Sequence, residues 1–146
     1  LHSHASHWPY HVGMIHTVGT DLVDLERLER VIRASPTRFK SRVLTDAELA
    51  YCESLNQPLP SIGARFAAKE AVMKCLQSGW TGGISWKDIE VTRTDAGVPG
   101  IRLAGRAAEI ATERGILKIH LSLSHTARHA IAMAVAEKQD LGPGPS

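Results

Sequence analysis

Cysteine is nearly absent from this sequence. Cys52 and Cys75 are the only two in 146 residues, and neither stands in a CxxC or comparable metal-ligand spacing. That leaves no basis for a disulfide framework or a cysteine-bound metal, and two buried thiols in a reducing compartment are expected. No stretch approaches the ~20 apolar residues that cross a bilayer, so no membrane partner is expected. The N-terminus has neither a basic n-region nor an apolar h-region. These absences together read as a soluble, cytoplasmic chain. Excess charge of one sign is also missing: the formal net charge is +2, too little to imply nucleic acid by itself, and no nucleic-acid partner is expected. No internal repeat is found.

What is present fits one domain. A chain of 146 residues, 43% of them hydrophobic, is long enough to bury roughly two thirds of its unfolded surface in a single core. Residues 1–13 carry His2, His4, His7 and His11, half of the eight histidines, without apolar periodicity. Followed by Gly13 and Met14, they read as an affinity tag or leader, with a natural metal-binding tail as the alternative. The domain is placed at 14–138, and the Gly/Pro-rich segment 139–146 reads as a disordered tail.

Charge is unevenly spread within the domain. Arg27, Arg30, Arg33, Arg38, Lys40 and Arg42 crowd one segment, opposed inside it only by Glu29. Such a patch is either a solvated face or a landing site for an acidic or phosphorylated partner. Upstream, Ile15-His16-Thr17-Val18 reads as a strand ending at Gly19-Thr20-Asp21, followed by an amphipathic basic helix from Leu22 to about Arg33. Asp21 at that junction is either a helix N-cap or a functional carboxylate. Ser35-Pro36 breaks the helix. Thr45-Asp46-Ala47-Glu48 is a capping box for a helix to about Leu55, and Ser61 is the expected N-cap of a longer helix running to Gln77 and stopping at Ser78-Gly79.

That longer helix carries the central conflict. Ile62, Phe66, Met73 and Leu76 fall on one side at 3.6 residues per turn, with Lys69 and Glu70 in or beside the same sector and Lys74 one turn past Glu70. A charge facing a core loses several kcal/mol of hydration unless paired or metal-bound. Either the helix lines a polar site, or Glu70 and Lys74 form a surface pair worth roughly 0.3–0.5 kcal/mol. Trp80-Thr81-Gly82-Gly83 beyond it is a Gly-rich loop without the order or the lysine of a P-loop.

The second half changes period. Ile89 and Val91 alternate with Glu90 and Thr92, Asp95-Ala96-Gly97 turns, and Ile101-Arg102-Leu103 returns as a hairpin. A helix is expected over 105–114, then a strand in which Leu117, Ile119, Leu121 and Leu123 alternate with Lys118, His120, Ser122 and Ser124, ending at His125-Thr126. The last strand, 130–136, sets Ile131, Met133 and Val135 on one face and alanines on the other. Two carboxylates such as Asp21 and Glu70 suit Mg²⁺ when substrate phosphates complete its octahedron. Lys74 could then neutralise a phosphate oxygen, and the groups around His125 could donate to phosphate. His16 and His120 read as strand or core histidines rather than ligands.

These residues carry a resemblance. Gly19-Thr20-Asp21, Arg27, Arg65-Phe66-Ala67-Ala68-Lys69-Glu70 with Lys74, Asp88-Ile89-Glu90-Val91, Gly97-x-Pro99 and His120-Leu121-Ser122-Leu123-Ser124-His125-Thr126, spread over about 14–137, are similar to the holo-[acyl-carrier-protein] synthases, the small bacterial 4′-phosphopantetheinyl transferases. The resemblance implies an α+β fold, an antiparallel sheet packed with a long central helix, assembled as a homotrimer with sites at subunit interfaces. The implied reaction transfers 4′-phosphopantetheine from coenzyme A to a serine of apo acyl carrier protein and releases adenosine 3′,5′-bisphosphate, in lipid metabolism such as fatty acid biosynthesis.

Position by position, Asp21 and Glu70 match Mg²⁺ ligands and, with Lys74, the catalytic set. Lys74, Ser124, His125 and Thr126 match the residues that hold coenzyme A phosphates. Arg27, and with it Arg30, matches the basic helix that receives the acidic carrier. The chain departs from the family after Lys74, where residues 77–83 replace a Gly-Thr-Gly-like turn. Lys69 is left without a role. Two other readings exist. His120-Leu121-Ser122 fits one element of a two-histidine phosphoesterase, but no convincing second element is present. A non-catalytic basic module binding an acidic protein or RNA would leave Asp21 and Glu70 unexplained.

Overall fold

The computed structural model describes residues 13–79 and 82–139. The leader, apart from Gly13, the tail beyond Gln139, and residues 80–81 of the Gly-rich loop lie outside the described residues. Strand β1 (Gly13–Asp24) leads into helix α1 (Leu25–Ala34), then α2 (Pro36–Val43), α3 (Asp46–Glu53) and the 18-residue α4 (Leu59–Leu76). A 3₁₀ turn (Trp86–Asp88) opens the hairpin β2 (Ile89–Arg93) and β3 (Pro99–Leu103), after which come α5 (Gly105–Glu113), β4 (Ile116–His125) and β5 (His129–Gln139). β1, β5 and β4 form an antiparallel sheet in that order, and β2–β3 stands as a separate two-stranded ribbon. The class is α+β, as expected. Among the described residues no helix is long and apolar enough to cross a membrane.

Three expected boundaries move, each for a local reason. β1 continues to Asp24, paired residue by residue with β5 as far as Asp24 opposite His129. The helix therefore starts at Leu25 rather than Leu22, and its N-cap is Asp24, whose carboxylate accepts from the Arg27 N–H at 3.0 Å. Leu22 fits a helical spacing with Leu25 and Leu28, but it alternates with buried Val23 and is 63% exposed. The segment after Ser35 is a further helix, with Pro36 in its first turn, where a proline's missing N–H is harmless. α4 begins two residues before Ser61, with Pro58 at the cap position, and ends when Gln77 turns left-handed at φ 58°. The capping box at Thr45 and Glu48 forms as read.

α4 is the centre of the molecule and is buried on nearly every side, as a core helix is. Its Ala67, Ala68 and Ala71 and the Ala130, Ala132, Ala134 and Ala136 of β5 are all fully buried. The small side chains let helix and sheet approach closely. A Cβ on Gly19 of β1 would stand 2.1 Å from the Ala71 carbonyl oxygen, and one on Gly63 would stand 2.4 Å from Leu25 Cδ2. Two hydrogen bonds stitch the layers directly: Thr17 Oγ1 donates to the Cys75 carbonyl at 2.8 Å, and Cys75 Sγ donates to the Ala134 carbonyl at 3.4 Å. Both cysteines are free and buried, as expected.

Because the alanines of β5 face the helix, its larger residues face outward. Ile131 and Met133 are exposed, and across the register so are Val18 and Leu22 of β1. His120, Ser122 and Ser124 of β4 lie opposite Val135, Met133 and Ile131 and so share this outer face. Gly19→Ala tests the close approach. The added methyl must push β1 away from α4, and overpacking of this kind costs about 3 kcal/mol, to be read from urea unfolding. A loss under about 1 kcal/mol would show that the layers have slack.

Candidate active site

The close layers bring the two carboxylates together. Asp21 lies on β1 opposite Ala132, on the helix side of the sheet, and Glu70 lies midway along α4. Both line one cavity of about 540 Å³, whose other walls include Arg27 and Val31 of α1, Phe39 of α2 and Phe66 of α4. Lys74, one turn beyond Glu70, reaches back to β1. Its Nζ donates to the Thr20 carbonyl at 2.6 Å and stands 3.5 Å from Asp21 Oδ1. Partial burial lifts the Asp21 carboxyl above the usual carboxylate range, with the Lys74 charge opposing that rise. A carboxylate disfavoured as an anion by burial is one that a cation stabilises.

No group of three or more histidine, cysteine, aspartate or glutamate side chains suited to a metal is found among the described residues. Asp21 and Glu70 are two hard oxygen donors on that cavity. That pair fits Mg²⁺, which keeps several waters and is held by one or two carboxylates plus substrate phosphates.

Two wall residues of this cavity, Phe39 and Phe66, belong to an aromatic stack that the sequence pattern does not reveal. The Phe39 and Phe66 rings lie 6.1 Å apart, and Phe66 and Trp86 lie 5.0 Å apart at 21°. Only Phe66 was foreseeable as a core residue, since the stack draws on three elements distant in sequence. Arg65 was also without a role. Just 2% exposed, it sits on the other flank of α4, its guanidinium 4.5 Å from the Tyr51 ring centre, with Arg93 5.2 Å from the same ring. Its Nε finds no hydrogen-bond acceptor. With Arg102 and Glu90 these residues line a cavity of about 290 Å³.

Lys69 proves fully buried. Its Nζ donates to Glu48 Oε1 at 2.7 Å, to the Trp86 carbonyl at 3.1 Å and to the Ile89 carbonyl. Glu48 also accepts the Thr45 N–H at 2.9 Å and the Val91 N–H at 3.1 Å. Every ammonium hydrogen and both carboxylate oxygens are therefore used, which is the condition under which a buried pair is tolerated. Burial pulls the Lys69 ammonium below the usual lysine range, against the raising effect of Glu48. Sequence reading saw the Glu48 cap but not its second partner.

The profile of the 4′-phosphopantetheinyl transferase superfamily matches residues 17–134. The chain belongs to this superfamily. A holo-[acyl-carrier-protein] synthase of Moorella thermoacetica is 48% identical over 119 residues, covering 82% of this chain and 91% of the relative. One from Geotalea daltonii is 42% identical over 125 residues, covering 86% and 100%. Among solved structures, the Neisseria meningitidis holo-[acyl-carrier-protein] synthase superposes with a TM-score of 0.80 at 33% identity, covering 86% of this chain and all of that one. The Helicobacter pylori enzyme, solved in complex with coenzyme A, gives 0.73 at 31% identity, covering 82% and 99%. The fold is that of the phosphopantetheinyl transferases.

Within this transferase fold the remaining expected residues are dispersed. Ser124 and His125 end β4 and Thr126 follows it, on the far side of β5 from β1. They are two strand spacings, roughly 10 Å, from Asp21, and they are not among the residues lining the Asp21–Glu70 cavity. The Thr126 hydroxyl accepts the Arg128 and His129 N–H groups, shaping the tight turn into β5. Arg27 lines the cavity, whereas Arg30 is exposed on α1 outside it. His120 Nε2 contacts Glu137 Oε2 at 2.7 Å on the outer face, away from the carboxylates. Replacing Lys74 by Met should raise the Asp21 pKa further, because it removes the charge that opposes burial. Carbon-13 NMR titration of the Asp21 carboxyl checks this, and a fall or no change would contradict the geometry.

Proposed function

We propose that this chain transfers 4′-phosphopantetheine from coenzyme A to a serine of an apo acyl carrier protein, of fatty-acid or polyketide type, and releases adenosine 3′,5′-bisphosphate. The observation that carries this reading is the meeting of Asp21 and Glu70, from two layers, on one cavity, with Lys74 3.5 Å from Asp21. In the reaction the carrier's serine oxygen attacks the phosphorus that bears the pantetheine. The bond from that phosphorus to the bridging oxygen breaks, and the adenosine bisphosphate leaves with the electron pair.

Asp21 and Glu70 would hold Mg²⁺, which when bound supplies Lewis-acid neutralisation of the pyrophosphate. Lys74 stands where it can oppose charge on the departing phosphate, an electrostatic and positional contribution. A water held by Glu70 or Asp21 takes the serine proton, since a metal-bound carboxylate is itself a weak base. Coenzyme A carries anionic groups beyond the reacting phosphorus, and the arginine-lined cavity at Arg65 is a second place suited to one. Arg27 at the cavity rim, with Arg30 beyond it, forms the approach for an acidic carrier.

The outer sheet face bears on assembly. Val18, Leu22, Ile131 and Met133 are each between 43% and 63% exposed on one continuous surface, and contiguous apolar faces of this kind mark protein interfaces. We assign this face to a homotrimer. Ser124 lies on the same face, so assembly there would bring the β4 end of one subunit toward a neighbour and place the coenzyme A sites at the interfaces. A cytoplasmic location accords with the two free thiols.

The two-histidine phosphoesterase reading gains no support, because His120 is engaged with Glu137 on the outer face. Incubated with coenzyme A, Mg²⁺ and an apo carrier protein, the chain should raise the carrier's mass by one phosphopantetheine arm. Chelation should abolish the change, and Glu70→Gln should slow it by about a hundredfold. No mass change across several active carriers would sink the proposal.

A further inference from the structure

Lys69 is the buried charge that the transfer chemistry does not use, and its surroundings connect it to the active cavity. Its side chain leaves α4 about 100° around the helix from Glu70. It enters the layer formed by α3, the 3₁₀ turn and β2, where Glu48 and the carbonyls of Trp86 and Ile89 take its three hydrogens. The Trp86 carbonyl and the Trp86 ring belong to the same residue, and that ring stacks on Phe66, which stacks on Phe39. Phe66 and Phe39 are wall residues of the cavity that holds Asp21 and Glu70. One ammonium thus ties down both the rotation of α4 and the outer end of the aromatic wall.

We propose that Lys69 is a positioning residue of the transferase site. By gripping Glu48 and the Trp86 and Ile89 carbonyls, it holds the Trp86–Phe66–Phe39 wall and the face of α4 that presents Glu70. A fully desolvated ammonium is an expensive way to join two layers that apolar side chains could join. What it adds over them is direction, since three hydrogen bonds to fixed acceptors set orientation as apolar contact does not. The inference rests on the transferase reading for its kinetic consequence, but its structural content is independent of it.

The test uses protein in which Trp8 and Trp80 are replaced by Phe, so that Trp86 alone reports by fluorescence. The pair Lys69→Met with Glu48→Gln removes both charges of this ion pair and keeps one of the two oxygens that accept the Thr45 and Val91 N–H groups. It avoids the stranded carboxylate that Lys69→Met alone would leave. In this pair Trp86 emission should move to longer wavelength and kcat should fall roughly tenfold to a hundredfold, while KM for the carrier stays within about threefold because α1 is untouched. Trp86→Ala, at a half-buried position that leaves the carbonyl in place, covers the case in which the pair does not fold. It should lower kcat by about fivefold or more, and Trp86→Phe should restore it to within about twofold. Reference kcat in either the pair or Trp86→Ala overturns the proposal. If the reference protein itself charges no carrier, the transferase reading falls instead. Unshifted Trp86 emission in the pair would then still overturn the positioning role.

Discussion

The contact that everything else depends on is the close seating of α4 on the sheet. It exists because one side is Gly19 and four consecutive inward alanines of β5, and the other is Ala67, Ala68 and Ala71. Backbone near backbone leaves no space for a larger residue, so the register of β1 against α4 is fixed. That register sets Thr20 and Asp21 beside Lys74 and puts Asp21 on the cavity that Glu70 enters. A looser interface with larger side chains would bury more apolar area per residue but would let the two carboxylates drift apart. The same choice forces the larger residues of β1 and β5 outward, so the surface assigned to assembly is a direct consequence of how the site is built.

The second organising interaction is the Lys69–Glu48 pair. The sequence puts two adjacent charges, Lys69 and Glu70, on a helix that is buried nearly all round, and the structure resolves the conflict by sending them to different layers. Lys69 meets complete hydrogen bonding and becomes internal structure. Glu70, half-buried, faces a cavity beside another carboxylate. Breaking the Lys69 pair from one side alone would leave an uncompensated buried charge, which typically costs about 3–5 kcal/mol. The pair therefore makes α4 intolerant of rotation.

Much of this was legible in the residues. Glu70 and Lys74 stand out as charges on an apolar helix and Asp21 as a carboxylate at the end of a strand pattern; Asp21 and Glu70 line one cavity, and Lys74 lies 3.5 Å from Asp21. The hairpin, the capping box and β4 follow short-range signals that act within one element. What was illegible depends on elements distant in sequence. Leu22 fits the helical spacing of Leu25 and Leu28 as well as a strand alternation with Val23, and only pairing with Ile131 decides between them. Lys69 could be given a role only once α3 and β2 were known to meet at α4. Ser124, His125 and Thr126, matched by resemblance to phosphate contacts, do not join the carboxylate cavity within one chain. The place of Ser124 on the outer face, opposite Ile131, accords with the proposed arrangement in which a neighbouring subunit completes the site.

On the proposed reading, the seam between α4 and β1 assembles a two-carboxylate cation site at Asp21 and Glu70. Binding of Mn²⁺ in the presence of coenzyme A, followed by electron paramagnetic resonance, addresses it directly. One ion should bind per chain, with Asp21→Asn and Glu70→Gln each weakening it by about tenfold or more. Undiminished Mn²⁺ affinity in both variants would contradict it.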